Sequence, residues 1–357
     1  MPRVRIGSGA LPVAAVSRRQ LICTLAAGAL TGRALLATPA FAEPLGSLQD
    51  PPDEAVAWVC PMHPSYTSMT AGTCPICGMM LIQTKPYDTR DFGVTFRTEP
   101  AAVVAGEKVT LFFKFVQPGT GLVVRDFEIV HTKLLHLFVI SQDMEYFAHI
   151  HPVMRDDGTW TIETILPKAG YYQLLCDFMP KGGSGQFLCV PLVTANLAVD
   201  LAADSARLTP DTVFSKSVAD ITAALAFDPA QPASGQYVHL TFALTDSATG
   251  RPVTDLQTYL GQFSHMLLMS EDMRSYVHSH PINLVVEQED PAETPEYIIA
   301  PDADLAAIRG GPRVTFDALM PKAGRFRAWA QFQRHDQVRT VPFTFTVSQG
   351  AAEPVLA

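Results

Sequence analysis

The chain is written twice, and no other feature constrains its fold as much. Advancing by 129 positions carries Gly106 onto Gly235, Val109 onto Val238, Gly121 onto Gly250 and Asp126 onto Asp255. The same shift superimposes His136-Leu-Phe-Val-Ile-Ser141-Gln-Asp143-Met144 on His265-Met-Leu-Leu-Met-Ser270-Glu-Asp272-Met273. It then brings His149-Ile-His151-Pro152 onto His278-Ser-His280-Pro281. Further on, Leu166-Pro-Lys-Ala-Gly170 matches Met320-Pro-Lys-Ala-Gly324 at a shift of 154, so the second copy holds a 25-residue insertion. A duplicated unit of this size folds as two domains in tandem, each with its own core.

Each copy has the texture of β-structure. Short β-branched and aromatic runs alternate with turn residues, as in Val109–Val116, Leu135–Ile140, Thr159–Leu166, Tyr171–Phe178 and Phe187–Val193. We expect a mainly β protein: a small metal-stapled Cys/His finger at 58–83, then two tandem Ig-like or cupredoxin-like β-sandwiches at 93–200 and 222–348. Residues 43–57 read as a flexible lead, 201–221 as a linker and 349–357 as a tail. Helical periodicity surfaces only around Ser215–Leu225. At 48% hydrophobic and 17% charged, the chain carries too little charge and too much apolar surface for a disordered polymer.

Residues 1–42 carry Arg3, Arg5, Arg18, Arg19 and Arg33 and no acid. Ser17-Arg18-Arg19-Gln20-Leu21-Ile22 resembles the twin-arginine export motif, and Ala40-Phe41-Ala42 fits the small-x-small cleavage rule. The expectation is export to the periplasm through the twin-arginine route, with cleavage after Ala42. Beyond that point no apolar run approaches the roughly 20 residues that span a bilayer, so no stable membrane insertion is expected. Losing five arginines makes a chain of formal charge -9 more acidic still, which repels phosphate backbones and argues against nucleic acid.

Between 58 and 83, Cys60-Pro-Met-His63 and Cys74-Pro-Ile-Cys77 form two knuckles, each with two residues between donors. At that spacing a turn aims both side chains at one ion, and two such turns make a tetrahedral site. Three thiolates and an imidazole, with Met62 and Met79 as secondary soft donors, select copper or zinc over hard ions. A disulfide is the ordinary fate of exported cysteines, but three cannot pair among themselves. Gly78 stands where a backbone leaving a knuckle takes positive φ.

Cys60-Pro61-Met62-His63-Pro64 with Gly72-Thr73-Cys74-Pro75-Ile76-Cys77-Gly78-Met79 resembles the heavy-metal-binding domain near the N-terminus of periplasmic efflux adaptors. Ala71 departs from the proline usual in that family. Adaptors continue into a helical hairpin where this chain continues into β-domains, so the resemblance implies metal binding alone.

The repeated histidines form the second constellation. His136, His149 and His151 in the first copy, and His265, His278 and His280 in the second, are the expected metal ligands. Met144 and Met273 stand as fourth donors. Residues two apart on a strand share a face, so each His-x-His pair is presented side by side. The earlier histidine joins them only if the hairpin register allows it, because one residue of slip reverses its face. The competing expectation is a set of half-buried core histidines that duplication has copied. His131 has Leu260 as its counterpart and His335 occurs in one copy only, so both are expected on the surface.

Cys176 and Cys189 flank a hairpin turn at 180–185, and a turn centred between Gly182 and Gly183 would face them for a disulfide. Alternatively, Gly170-Tyr-Tyr-Gln-Leu-Leu-Cys176 resembles the strand bearing the cupredoxin cysteine, which implies a blue-copper site. That family carries a histidine soon after its cysteine, whereas Asp177-Phe178-Met179 follows here.

Three functions are therefore in competition. The first is an exported, non-catalytic metal carrier, for copper before zinc, exchanging with an efflux system or copper chaperone. The second is a cupredoxin-like electron-transfer or oxidase-associated copper protein. The third is a metal-sensing module that docks an efflux system. The chain has neither a Gly-x-Ser-x-Gly elbow nor a His-Glu-x-x-His pair, so hydrolase chemistry is not expected.

Overall fold

The computed structural model describes residues 57–60, 67–68, 71–74, 78–84, 92–118, 120–181, 183, 185–195, 206–281 and 304–350. Among them the regular structure is entirely strand, and no helix is long and apolar enough to cross a membrane. The expected export segment, with its cleavage site, lies outside the described residues.

In each copy two antiparallel sheets face each other. The outer sheet of the first copy runs Gly93–Glu99, Lys108–Val116, Trp160–Ile165, Val153–Met154 in spatial order. Its inner sheet runs Gln186–Val193, Tyr171–Pro180, His136–Ser141, Phe147–Ile150. Alternation along the strands fills the space between them. Leu111, Phe113 and Phe115 meet Leu137, Val139, Tyr172, Leu174 and Phe178 in one buried cluster.

The second copy repeats this plan. Ile221–Asp228, Tyr237–Asp246 and Arg313–Leu319 form the outer sheet, and Ser264–Ser270, Gly324–Arg334 and Gln337–Val347 the spine of the inner one. Ser215–Val218 adds an edge strand to the outer sheet, so the helical expectation at Ser215–Leu225 is corrected to two strands. The reason is periodicity: Ile221, Ala223 and Leu225 point inward on every second residue, which overrides the helix preference of the alanines.

The repeated sequence around the two hairpin turns has a structural explanation. Ser141 and Lys168 both donate hydrogen bonds to Asp143, and Ser270 and Lys322 do the same for Asp272. The lysine of each Pro-Lys-Ala-Gly motif thus ties down the Asp-Met turn of its own copy. Met144 and Met273 follow at φ 60 and 55.

The strands at the centre of each inner sheet are buried on both faces. His136–Ser141 and Ser264–Ser270 have no exposed residue at all. One face belongs to the sandwich core. On the other, Phe138, Ile140, Met144, Leu175 and Phe187 of the first copy pack with Leu267, Met269, Met273 and Trp329 of the second. Phe147 stacks on Trp329 with ring centres 4.8 Å apart, and Phe187 on Tyr276 at 3.6 Å. The copies are therefore docked inner sheet to inner sheet.

Candidate metal centre

The hairpin register decides where the histidines go. Phe138 pairs with His149 and Leu137 with Ile150, and the same register carried one step further sets His136 opposite His151. In the second copy Leu267 pairs with His278, which sets His265 opposite His280. Opposed residues on antiparallel strands share a face. In both copies that face is the docking face, so six histidines meet at one end of the interface between the copies.

His136, His149 and His151 offer ring nitrogens within 4.8 Å of one another. His136 Nε2–H donates to the Val130 carbonyl at 3.0 Å, which leaves Nδ1 as a lone pair. His149 Nδ1–H donates to Gln331 Oε1 at 2.9 Å, and the Gln331 amide is oriented by its own donation to Thr340. The remaining nitrogens, His136 Nδ1 and His149 Nε2, stand 3.0 Å apart.

Burial, and after it the charges of neighbouring imidazoles, pushes His136 down to about 4 and His149 well below the ordinary range. Near neutrality both rings are uncharged. Two lone pairs then face each other across the separation that two ligands of one cation adopt. Carbonyl acceptors behind metal-binding imidazoles are the usual device for fixing such tautomers. His151 is pushed down to about 3 by burial and His136, and its Nε2 has no hydrogen-bond partner among the described residues.

A second group consists of His131, His265 and His280, again with nitrogens within 4.8 Å. The expectation that His131 lies on the surface is corrected: it is buried, and its ring stacks on His280 at 3.5 Å. Burial drives all three well below the usual histidine range. His278 stands between the groups, 5.7 Å from His136, 5.9 Å from His265 and 4.4 Å from His280 by ring centres. Its Nδ1–H donates to Asp177 Oδ2 at 2.6 Å, and its buried Nε2 points away from that carboxylate without a hydrogen-bond partner among the described residues. Tyr259 borders both groups, its ring centre 6.1 Å from His149 and 5.3 Å from His265.

The methionines do not join this centre. Met144 follows the far end of the strand that begins at His136, about 17 Å away at strand rise, and it packs in the apolar cluster between the copies. Met273 occupies the equivalent place. Both expectations of a fourth sulfur donor are corrected.

Cys176 and Cys189 are also redistributed. The strand register sets Leu175 opposite Cys189 and Cys176 opposite Leu188, one residue from the expected pairing. Cys176 therefore lies in the sandwich core as a free thiol, raised by burial and then by the charge of Asp177. Cys189 packs against the opposite face and is not bonded to Cys176. A thiolate at 176 faces away from the histidines, which removes the geometric basis for a blue-copper site there. His335 is exposed, as its lone occurrence suggests, and pairs with Asp220.

In the finger, Cys60 and Cys74 are buried together with Leu81, against Trp58 and Met79. Gly78 N–H donates to the Cys74 carbonyl at 2.7 Å from a backbone with φ 70, the turn expected behind a ligating cysteine. His63, Cys77 and Met62 lie outside the described residues.

Comparison with known proteins follows this division of the chain. Residues 57–84 match the heavy metal binding domain. Residues 88–193 and 216–349, together more than half the chain, match a Domain of unknown function (DUF8832). The chain belongs to the DUF8832 family. The two matched stretches of DUF8832 coincide with the two copies, and their boundary falls in the segment that joins the sandwiches.

No curated protein matches the chain. Among solved structures, the FdeC adhesin of Escherichia coli is 12% identical over 72% of this chain and 66% of its own, with a TM-score of 0.21. The adhesin InvE of Yersinia pseudotuberculosis is 11% identical over 74% of this chain and 65% of its own, with a TM-score of 0.18. The chain thus spans under two thirds of each. At such scores neither likeness carries an argument.

Proposed function

We propose that this is an exported, non-catalytic metal-handling protein of the periplasm, which holds copper for sequestration, delivery or resistance. The observation that carries the proposal is the pair of uncharged imidazole lone pairs, His136 Nδ1 and His149 Nε2, facing each other at 3.0 Å inside a buried group of three. With no proton between them that contact is repulsive, and a shared cation makes it attractive. The heavy metal binding domain at 57–84 supports the same conclusion from another part of the chain.

Charge favours copper over zinc. The cost of burying an ion grows steeply with its charge. Two Zn(II) ions in the paired histidine groups would bring four positive charges where, among the described residues, Asp177 is the carboxylate bonded to a histidine of the cluster, whereas two Cu(I) ions bring two. Imidazole donors suit both metals, and the thiolates of the finger suit Cu(I) especially. The finger, with Cys60, His63, Cys74 and Cys77 as ligands, would be the point of exchange with a copper chaperone or efflux system. Export rests on the arginine pair and cleavage signal at the start of the chain.

The test is metal content of the full chain purified from a periplasmic fraction, followed by anaerobic titration of the reduced protein with Cu(I) and with Zn(II). Copper at more than one ion per chain is expected. Protein that emerges with neither metal and takes up neither on titration refutes the proposal.

A further inference from the structure

Building on that metal-binding reading, we infer that His131, His265 and His280 form a metal site shared between the two copies, and that its ion clasps the sandwiches together. His131 belongs to the first copy and the other two to the second, so the site exists only when the sheets are docked. No repeat-by-repeat reading of the chain contains it.

The backbone is arranged to deliver His131. Val130 and Lys133 exchange hydrogen bonds at 2.8 and 3.1 Å, with His131 and Thr132 between them at φ 46 and 64. Two successive residues at positive φ make the tight hairpin turn that ordinarily employs Asn or Gly. The equivalent turn of the second copy, Tyr259–Gln262, carries Leu260 and Gly261 there, at φ 54 and 77. The two turns touch, since a Cβ built on Gly261 would meet Thr132 Cγ2 at 3.1 Å. Leucine therefore satisfies this turn, and packing alone gives no reason for a histidine at 131.

The ring nitrogens agree. His131 Nε2 and both nitrogens of His265 are buried without a hydrogen-bond partner among the described residues, on side chains 8% and 1% exposed. Native proteins rarely leave such groups unpaired. Three nitrogens lie within 4.8 Å of one another, and closing to about 3.3 Å, the spacing of two metal–nitrogen bonds of about 2.0–2.1 Å at a tetrahedral angle, requires the stacked His131 and His280 rings to swing until their lone pairs converge.

Asp177, on the strand paired with His136, holds the Nδ1 of His278, whereas the equivalent strand position opposite His265 carries the uncharged Gln331 facing His149. An ion that binds only the docked arrangement stabilises docking by mass action, and docking raises the affinity for the ion by the same factor.

The experiment uses the full chain with Cys60→Ser and Cys74→Ser, to silence the finger, loaded separately with Cu(I) and with Zn(II). Native mass spectrometry counts ions, and hydrogen–deuterium exchange reads the strands 136–141 and 264–270. Two ions are expected in this parent, and one after His131→Leu, a residue the sister turn already accepts. The remaining ion should disappear with the further change His149→Ala/His151→Ala. Ion-dependent protection of both strands should fall at least tenfold in the His131→Leu protein, and His265→Gln should reproduce the loss of one ion. A His131→Leu protein that keeps both ions, loses both while melting like the parent, or retains full ion-dependent protection overturns the clasp. A finger-silenced parent that takes up no ion also overturns it. Unaltered metal uptake by the wild-type chain in any of those cases leaves the metal-handling function standing.

Discussion

His278 donates from Nδ1 to the Asp177 carboxylate of the other copy at 2.6 Å, and its duplicate His149 reaches in the opposite direction to Gln331 at 2.9 Å. Asp177 and Gln331 occupy matching places, one opposite His136 and the other opposite His265 on the neighbouring strand. The contact is therefore reciprocal, in the manner of a two-fold interface, although it joins two halves of one chain. Its polar partners differ in chemistry, a carboxyl group at 177 and an amide at 331.

Replacing Asp177 tests this relationship. Asp177→Ala leaves a buried imidazole N–H without an acceptor and should cost about 1–3 kcal/mol. Asp177→Gln, which imports the residue of the sister copy, should restore most of the loss. Urea unfolding midpoints in the presence of a chelator measure both. Equal losses in the two variants would mean that the acceptor is not what stabilises the contact.

Acid should weaken the metal-free protein in a defined interval. His136 falls to about 4 and His151 to about 3 in the folded chain, for burial first and neighbouring imidazole charge second. The unfolded chain takes up these protons near 6.5, so between the two values it binds more protons than the folded state. Stability is then full above about pH 6.5 and is lost as pH falls toward about 4 and below. Urea midpoints across this range, with chelator present, should decline with pH, and His136→Asn should flatten the slope. A wild-type protein whose midpoint is constant through the interval would contradict the buried, uncharged assignment.

Cys176 gives a separate check on the copper chemistry. Its thiol is fully buried in the sandwich core and raised by that burial, so thiol reagents should reach it only after unfolding. Cys176→Ala, which copies Ala330 of the second domain, should cost about 1 kcal/mol and leave the ion count unchanged. An intense thiolate-to-copper absorption that vanishes in this variant would restore the cupredoxin assignment.

The duplication, the strands and the pairing of each His-x-His were legible because they rest on two-residue periodicity, which survives sequence drift. The docking of the copies was less so, although a trace existed. Leu137-Phe138-Val139-Ile140 is apolar on every residue, not every second one, which is the mark of a strand covered on both faces. His131 was hidden for the reason that makes it informative: its counterpart is a leucine, and comparison of the copies discards it. The cysteine pairing failed on half a residue. Centring the turn on 182 instead of 182.5 sends Cys176 and Cys189 to opposite faces, an error that only the observed register removes.

Met144 and Met273 separate a packing role from a ligand role most directly. As donors they would be expected to lower metal affinity when removed and to leave stability of the empty protein nearly untouched. Their positions argue the reverse. Met144 is fully buried and Met273 is 8% exposed, both in the apolar cluster that joins the copies and both beyond the end of the strand remote from the first histidine. Truncating a buried methionine to alanine costs about 2–5 kcal/mol through lost contacts and the cavity left behind. Met144→Ala and Met273→Ala should each lower the unfolding free energy of the chelated protein, read from its urea denaturation curve, by that amount, and native mass spectrometry should find the ion count of the wild type. A variant that loses an ion while its chelated form unfolds like the wild type would put sulfur back into the centre and displace the apolar cluster as the reason these residues recur.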